Sequence, residues 1–257
     1  MLFKFKQSKI VVDCFTADKA AFEVYKIRKA IYYYPETIKN MEGSFIGTDR
    51  KTNINFNINT LKKCPGVNSL YKHGIIIPLW ADLLCQPTDH LSGAAAGALF
   101  CNQTTVVPHD PKQYSGVMDK YFNIKLPGIW HIKESSGINF MWQGATWNLD
   151  NQNENFIVVP GIVDYKWTTQ TNVNLMVKKE LSSFQLTAGV PLVHIIPITE
   201  KEVEYKCHLI STEEYWSKVE QPLNFNSMLR WKKEKTQAAK LDEQEKRDKK
   251  CPFGFGK

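Results

Sequence analysis

Residues 155–198 read NFIVVPGIVDYKWTTQTNVNLMVKKELSSFQLTAGVPLVHIIPI, and this stretch decides the fold. Val173, Leu175 and Val177 alternate with Asn172, Asn174, Met176 and Lys178, and Phe184 and Leu186 alternate with Gln185 and Thr187. A period of two puts one set of side chains on a buried face and the other on a mostly wet one, so both segments read as strands. Gly161 and Gly189 punctuate the runs. From Val190 to Ile198 the apolar residues are nearly continuous, as in a strand covered on both faces, and Pro191 and Pro197 confine its ladder to the residues between them.

Outward from this core the same signals recur. Gly74 to Leu84 is a core strand with Pro78 at a bulge or edge, and strand character returns from Gly128 to Trp142. The Asn-rich stretch Gly144 to Asn155 is an exposed loop. Nearer the start, Ser8 to Phe15 reads as a strand, and Asp18 to Ile31 carries helical spacing through Ala21, Val24, Tyr25 and Arg28. Asn53 to Ile58 alternates Asn with Ile and Phe, a strand with one polar face, while Val67 to Tyr71 forms a helical turn. The expected architecture is mainly β: a sandwich or a β-clip or jelly-roll-like barrel over 63–210. An α/β layer over 1–62 precedes it, and 211–257 supplies a C-terminal helix and an apolar tail.

Composition narrows the function classes. Hydrophobic residues make up 43% of the chain, enough for a real core, and 12% are aromatic, which suits strands and sticky surfaces alike. No apolar run is long enough to span a bilayer, and the N-terminal Met-Leu-Phe-Lys-Phe-Lys lacks the pattern of a signal peptide, so a soluble protein made in a cytoplasm is expected. Six cysteines are scattered without a C-x-x-C pair, and reduced, mostly buried thiols follow. Cys85, His90, Cys101 and His109-Asp110 would gather as metal ligands only if a loop folded back. The small apolar interval Ser92 to Leu99 reads instead as a packed turn or short helix, so no metal or cofactor is expected. No Gly-x-Ser-x-Gly elbow or flanking pair of acids supports a hydrolase.

Two resemblances attach to these motifs. Gly161-Ile162-Val163-Asp164-Tyr165 followed by Gly189-Val190-Pro191-Leu192-Val193-His194 resembles the trimeric dUTPase and dCTP deaminase superfamily. That resemblance implies that Asp164 orients a water and Tyr165 supports a nucleoside sugar, with Lys133-Glu134-Ser135-Ser136 at the phosphate loop. There Glu134 replaces that family's arginine, and its charge would repel a triphosphate. A longer series, Lys63-Cys64-Pro65, Gly74 to Asp82, Pro160 to Asp164 and Gly189 to Leu192, resembles an uncharacterised family found in tailed bacteriophages and some bacteria. It implies a phage-encoded protein, in the host cytoplasm or the virion, without implying a reaction.

The candidate site residues follow. Ser135 and Ser136 are candidate phosphate-loop donors. Trp142, Trp147 and Trp167 lie near loop ends, where a flat ring covers a sugar or anchors a partner, unless all three complete the β-core. Tyr32-Tyr33-Tyr34 divides in the same way between stacking on a ligand and forming a buried aromatic edge. From Ser227 to Lys250 the chain turns to good helix formers, docked near Met228 and Trp231 and solvated beyond. Pro252, Phe253 and Phe255 then suit a short docking peptide. Net charge +7 and pI near 8.9 admit a nucleic-acid partner, but interleaved acids make a plain solvated helix the simpler account. The leading expectation is a non-enzymatic, phage-associated, oligomeric assembly or interaction protein. A dUTPase-like nucleotide-binding or nucleotide-hydrolysing protein is second, and a carbohydrate-binding module third.

Overall fold

A computed structural model describes residues 9–85, 98–100, 107–108, 120–148, 154–180 and 184–219, with helical residues 236–237, 239–244 and 247. In chain order the elements are β1 (Ile10–Thr16), α1 (Lys19–Glu23), β2 (Arg28–Lys29), α2 (Glu36–Asn40), β3 (Ser44–Thr48), β4 (Asn55–Asn59), α3 (Pro65–Lys72), β5 (Ile75–Pro78), β6 (Leu83–Cys85), β7 (Ala98–Phe100) and β8 (Val107–Pro108). They continue with β9 (Tyr121–Leu126), β10 (His131–Glu134), β11 (Asn139–Gly144), β12 (Phe156–Val158), β13 (Gly161–Asp164), β14 (Val173–Lys178), β15 (Phe184–Leu186), β16 (Pro191–Pro197), β17 (Val203–Leu209) and α4 (Thr212–Lys218). The fold is mainly β, in several sheets. Residues divide into two units, Met1–Ser211 and Thr212–Lys257.

The apolar run after Val190 becomes β16, flanked by β11 and β5 in a sheet of order β13-β11-β16-β5-β2. Leu192, Val193, His194 and Ile195 are all buried, as a strand with neighbours on both edges and cover on both faces requires. Its partner β5 has the same character. Ile75 and Ile77 enter the main core, whereas Ile76 faces a second cluster with Ala30, Ile38, Val67, Tyr71 and Ala145, where α2 and α3 cover the sheet. Where Pro191 meets Pro78 the register shifts, because two prolines facing each other have no N–H to exchange. Gly74 enters β5 at φ +78°, and a Cβ there would sit 2.1 Å from the Ile195 carbonyl oxygen, so only glycine allows the approach.

The main core is shared by four sheets. Val12 and Cys14 come from the sheet β10-β1-β17, Leu83 and Leu186 from β15-β6-β7, and Val173, Leu175, Val177, Ile124 and Leu126 from β12-β14-β9-β8. The alternation expected at 173–177 holds on this face. On the other face Met176 is also buried, so that side is drier than its neighbours Asn174 and Lys178 imply. Among the described residues no sheet closes into a barrel, which corrects the barrel alternative: the long central sheet ends at β2, only two residues long, and at β13.

The N-terminal helix is shorter than its spacing predicts. Asp18 caps α1 by accepting from the Ala21 amide at 2.8 Å, but the helix ends at Glu23. Residues Arg28 and Lys29 instead extend along β5, opposite Ile76 and Ile75, and Ile27 is drawn into the core. A free strand edge outcompetes a helix of modest propensity there. In the second unit, α4 forms at Thr212–Lys218, with an i,i+4 pair between Glu214 and Lys218 at 2.8 Å. The helical residues 236–237, 239–244 and 247 are exposed, in keeping with a solvated helix.

Candidate functional site

Strands β3 and β4 form a hairpin that joins no third strand among the described residues. Its tip is well specified. The Asp49 carboxylate accepts from the amides of Lys51 (2.9 Å) and Thr52 (2.8 Å) and from the Thr52 hydroxyl (2.9 Å). These donors hold its carboxyl below the ordinary carboxylate range. Asn53 takes the left-handed conformation at φ 55°, which asparagine tolerates, and its amide bonds back to the Asp49 carbonyl at 2.8 Å.

The register pairs Phe45 with Ile58 and Gly47 with Phe56, which puts these three apolar side chains on one face. Gly47 makes room for them: a Cβ there would meet Ile58 Cδ1 at 2.5 Å. Across the ribbon lie Ser44, Ile46 and Thr48 with Asn55, Asn57 and Asn59, and the Thr48 hydroxyl donates to Asn55 Oδ1 at 2.7 Å. Phe45, Ile46, Ile54 and Phe56 are all about half exposed or more, Ile46 at 71%. Neither strand carries a charged residue or a proline, the devices that normally keep an open edge from pairing. The Asn/Ile/Phe alternation of β4 was legible in the sequence; the exposure of its apolar side chains was not.

The residues singled out by resemblance lie elsewhere. Asp164 ends β13, where its Oδ1 accepts from the Lys166 amide at 3.0 Å and its carbonyl from the Trp167 amide at 3.2 Å, so its carboxylate caps a turn. Tyr165 is wholly buried, edge-on to Phe140 at 5.2 Å between centroids, and burial pushes its hydroxyl well up. Glu134 is buried at the β10 end, where its carboxylate takes the amides of Ser136, Gly137 (2.8 Å) and Ile138 (3.2 Å). The amides of this turn thus face the protein's own anion, while the side chains of Ser135 and Ser136 are exposed.

The tryptophans do not form one platform. Trp142 is buried in the main core, Trp147 is 40% exposed in the short 3-10 turn Thr146–Asn148, and Trp167 is partly covered with Lys166 Nζ 5.5 Å from its ring centre. Tyr34 stacks edge-on to Tyr71 and donates to Asn68 Oδ1 at 2.7 Å, whereas Tyr32 is 74% exposed. Trp231, Pro252, Phe253, Phe255 and the Cys85 to Asp110 ligand cluster lie outside the residues whose side chains are described. Among the described residues no helix is long and apolar enough to cross a membrane.

No family model matches this sequence, and no curated protein matches it either.

Proposed function

We propose that this chain is a non-enzymatic assembly protein that associates with a second copy of itself through the open edge of β4. The observation that carries this reading is the β3–β4 hairpin, which joins no third strand among the described residues, carries exposed side chains on both faces and has neither charge nor proline along its edges. A two-stranded ribbon is marginal alone in water, and a third and fourth strand stabilise it. The β4 sequence, Asn55-Phe56-Asn57-Ile58-Asn59, is self-complementary. Antiparallel pairing about a two-fold axis at Asn57 sets Asn55 against Asn59 and Phe56 against Ile58, so amides meet amides on one face and apolar groups meet on the other. The core shared by four sheets supports a sandwich-like body carrying this ribbon, and the resemblance to the tailed-phage family supplies the setting, a virus-encoded component in the host cytoplasm or the virion.

A nucleotide-hydrolysing role draws less support. The turn amides that would grip a phosphate donate to Glu134, Asp164 caps its own turn, and Tyr165 has no exposed surface to offer a sugar.

The test is light scattering on the wild type, Asn57→Lys and Asn57→Glu. The wild type should dimerise, each variant alone should be monomeric because like charges face across the axis, and an equimolar mixture should associate again. A monomeric wild type, or an undiminished Asn57→Lys dimer, would overturn the reading.

A further inference from the structure

Strand β1 lies beside β17 in parallel, in a register that sets Ile10 next to Val203, Val12 next to Tyr205 and Cys14 next to Cys207. All these side chains face the main core. Both thiols are free, Cys14 fully buried and Cys207 partly exposed. Adjacent strands run about 4.8 Å apart, inside the range of roughly 4.4–6.8 Å over which a disulfide spans two Cα atoms. The two thiols are direct partners in this register and each shifts the acidity of the other.

We propose that Cys207 and Cys14 form a thiol-exchange site, with Cys207 the attacking sulfur and Cys14 the resolving one, that reacts with low-molecular-weight disulfides.

The surroundings divide the roles. Cys207 Sγ lies at the outer end, 3.9 Å from the Ile27 carbonyl that accepts its S–H. The Cys14 hydrogen bond and then the Lys26 ammonium favour its thiolate, outweighing its burial and the Asp13 charge. Cys14 points inward, where its bond to Cys207 and then its burial keep it a thiol. Beside it stand the hydroxyls of Tyr165 and Tyr205, both buried without a hydrogen-bond partner and both within electrostatic reach of its sulfur.

The exchange balances without another reactant. The Cys207 thiolate attacks one sulfur of R–S–S–R, the reagent's S–S bond breaks, and RS⁻ leaves and takes a proton. Cys14 then loses its proton and attacks Cys207 Sγ, expelling the second RS⁻. The dithiol is oxidised to a disulfide and the reagent is reduced to two thiols.

Oxidised glutathione is the probe, applied to the full-length protein, with peptide mapping under non-reducing conditions. The wild type should lose two hydrogens in mass and yield a Cys14–Cys207 linked peptide. Cys14→Ser, and independently Cys14→Ala, should stop at a stable glutathione adduct on Cys207, and Cys207→Ser should give neither product at these positions. Iodoacetamide should alkylate Cys207 several-fold faster than Cys64, which is also partly exposed. Adducts on Cys64 in preference to Cys207, no linked peptide in the wild type, or no trapped adduct in both folded Cys14 variants would each overturn the assignment.

Discussion

His131 makes stability depend on pH in a calculable way. Its ring is buried at the start of β10, stacked on Phe15 at 5.6 Å between centroids and with Nδ1 3.4 Å from Thr169 Oγ1. Burial lowers its pKa from 6.5 to about 4. The folded state therefore holds the ring neutral through a range where the unfolded chain takes up a proton. Stability from this site is complete above the unfolded value and drains away as the pH falls from there through the folded one. The full difference corresponds to about 3 kcal/mol, and between roughly pH 7.5 and pH 5 the loss is about 2 kcal/mol. Carboxylates and the similarly lowered His194 also titrate, so the informative quantity is a double difference against His131→Phe, which keeps an aromatic ring against Phe15. Urea midpoints measured for both proteins at both pH values should show the wild type losing about 2 kcal/mol more than the variant. An equal loss in the two proteins would refute the claim that this imidazole is held neutral by burial.

Two further outcomes follow from the core and the β10 turn. Leu175, Leu192 and Ile195 are fully buried, and Ala at any one of them should cost about 2 to 4 kcal/mol in chemical denaturation, with Val173→Ala somewhat less; unchanged midpoints would contradict the packing. Glu134→Gln leaves one acceptor where the carboxylate served three amides, and turns an NH₂ group toward donors, so about 2 kcal/mol should be lost at neutral pH. A change within about 0.5 kcal/mol would mean that water replaces the carboxylate at no cost.

The strands were legible where burial left a periodic trace. The run after Val190 and the Val173–Leu175–Val177 alternation predict β16 and β14, because an apolar set at period two has few other uses. Shorter elements set by tertiary competition were not. Spacing over Asp18 to Ile31 suits a helix, and only the unpaired edge of β5 explains why Arg28 and Lys29 leave it. Glu134 reads in sequence as a charge hostile to phosphate, and its work as a cap needs the turn geometry, although Glu-Ser-Ser-Gly is a local hint of it. Cys14 and Cys207 stand at opposite ends of the first unit in sequence, so no spacing rule connects them. The hairpin was half legible: β4 was recognisable as a strand, but whether a strand is covered depends on everything else in the chain.

The placement of β1 between β10 and β17 bears on how the protein is made. This strand leaves the ribosome well before either neighbour: one arrives with His131–Glu134 and the other only with Val203–Leu209. Until then Val12, Cys14 and Phe15, all buried in the finished protein, can be paired on one edge at most, by β10. The first unit therefore cannot close gradually from its N-terminus. It completes in one late step when its final strand is delivered, and a product interrupted before residue 203 would display its opening strand to the chaperones and proteases of the cell.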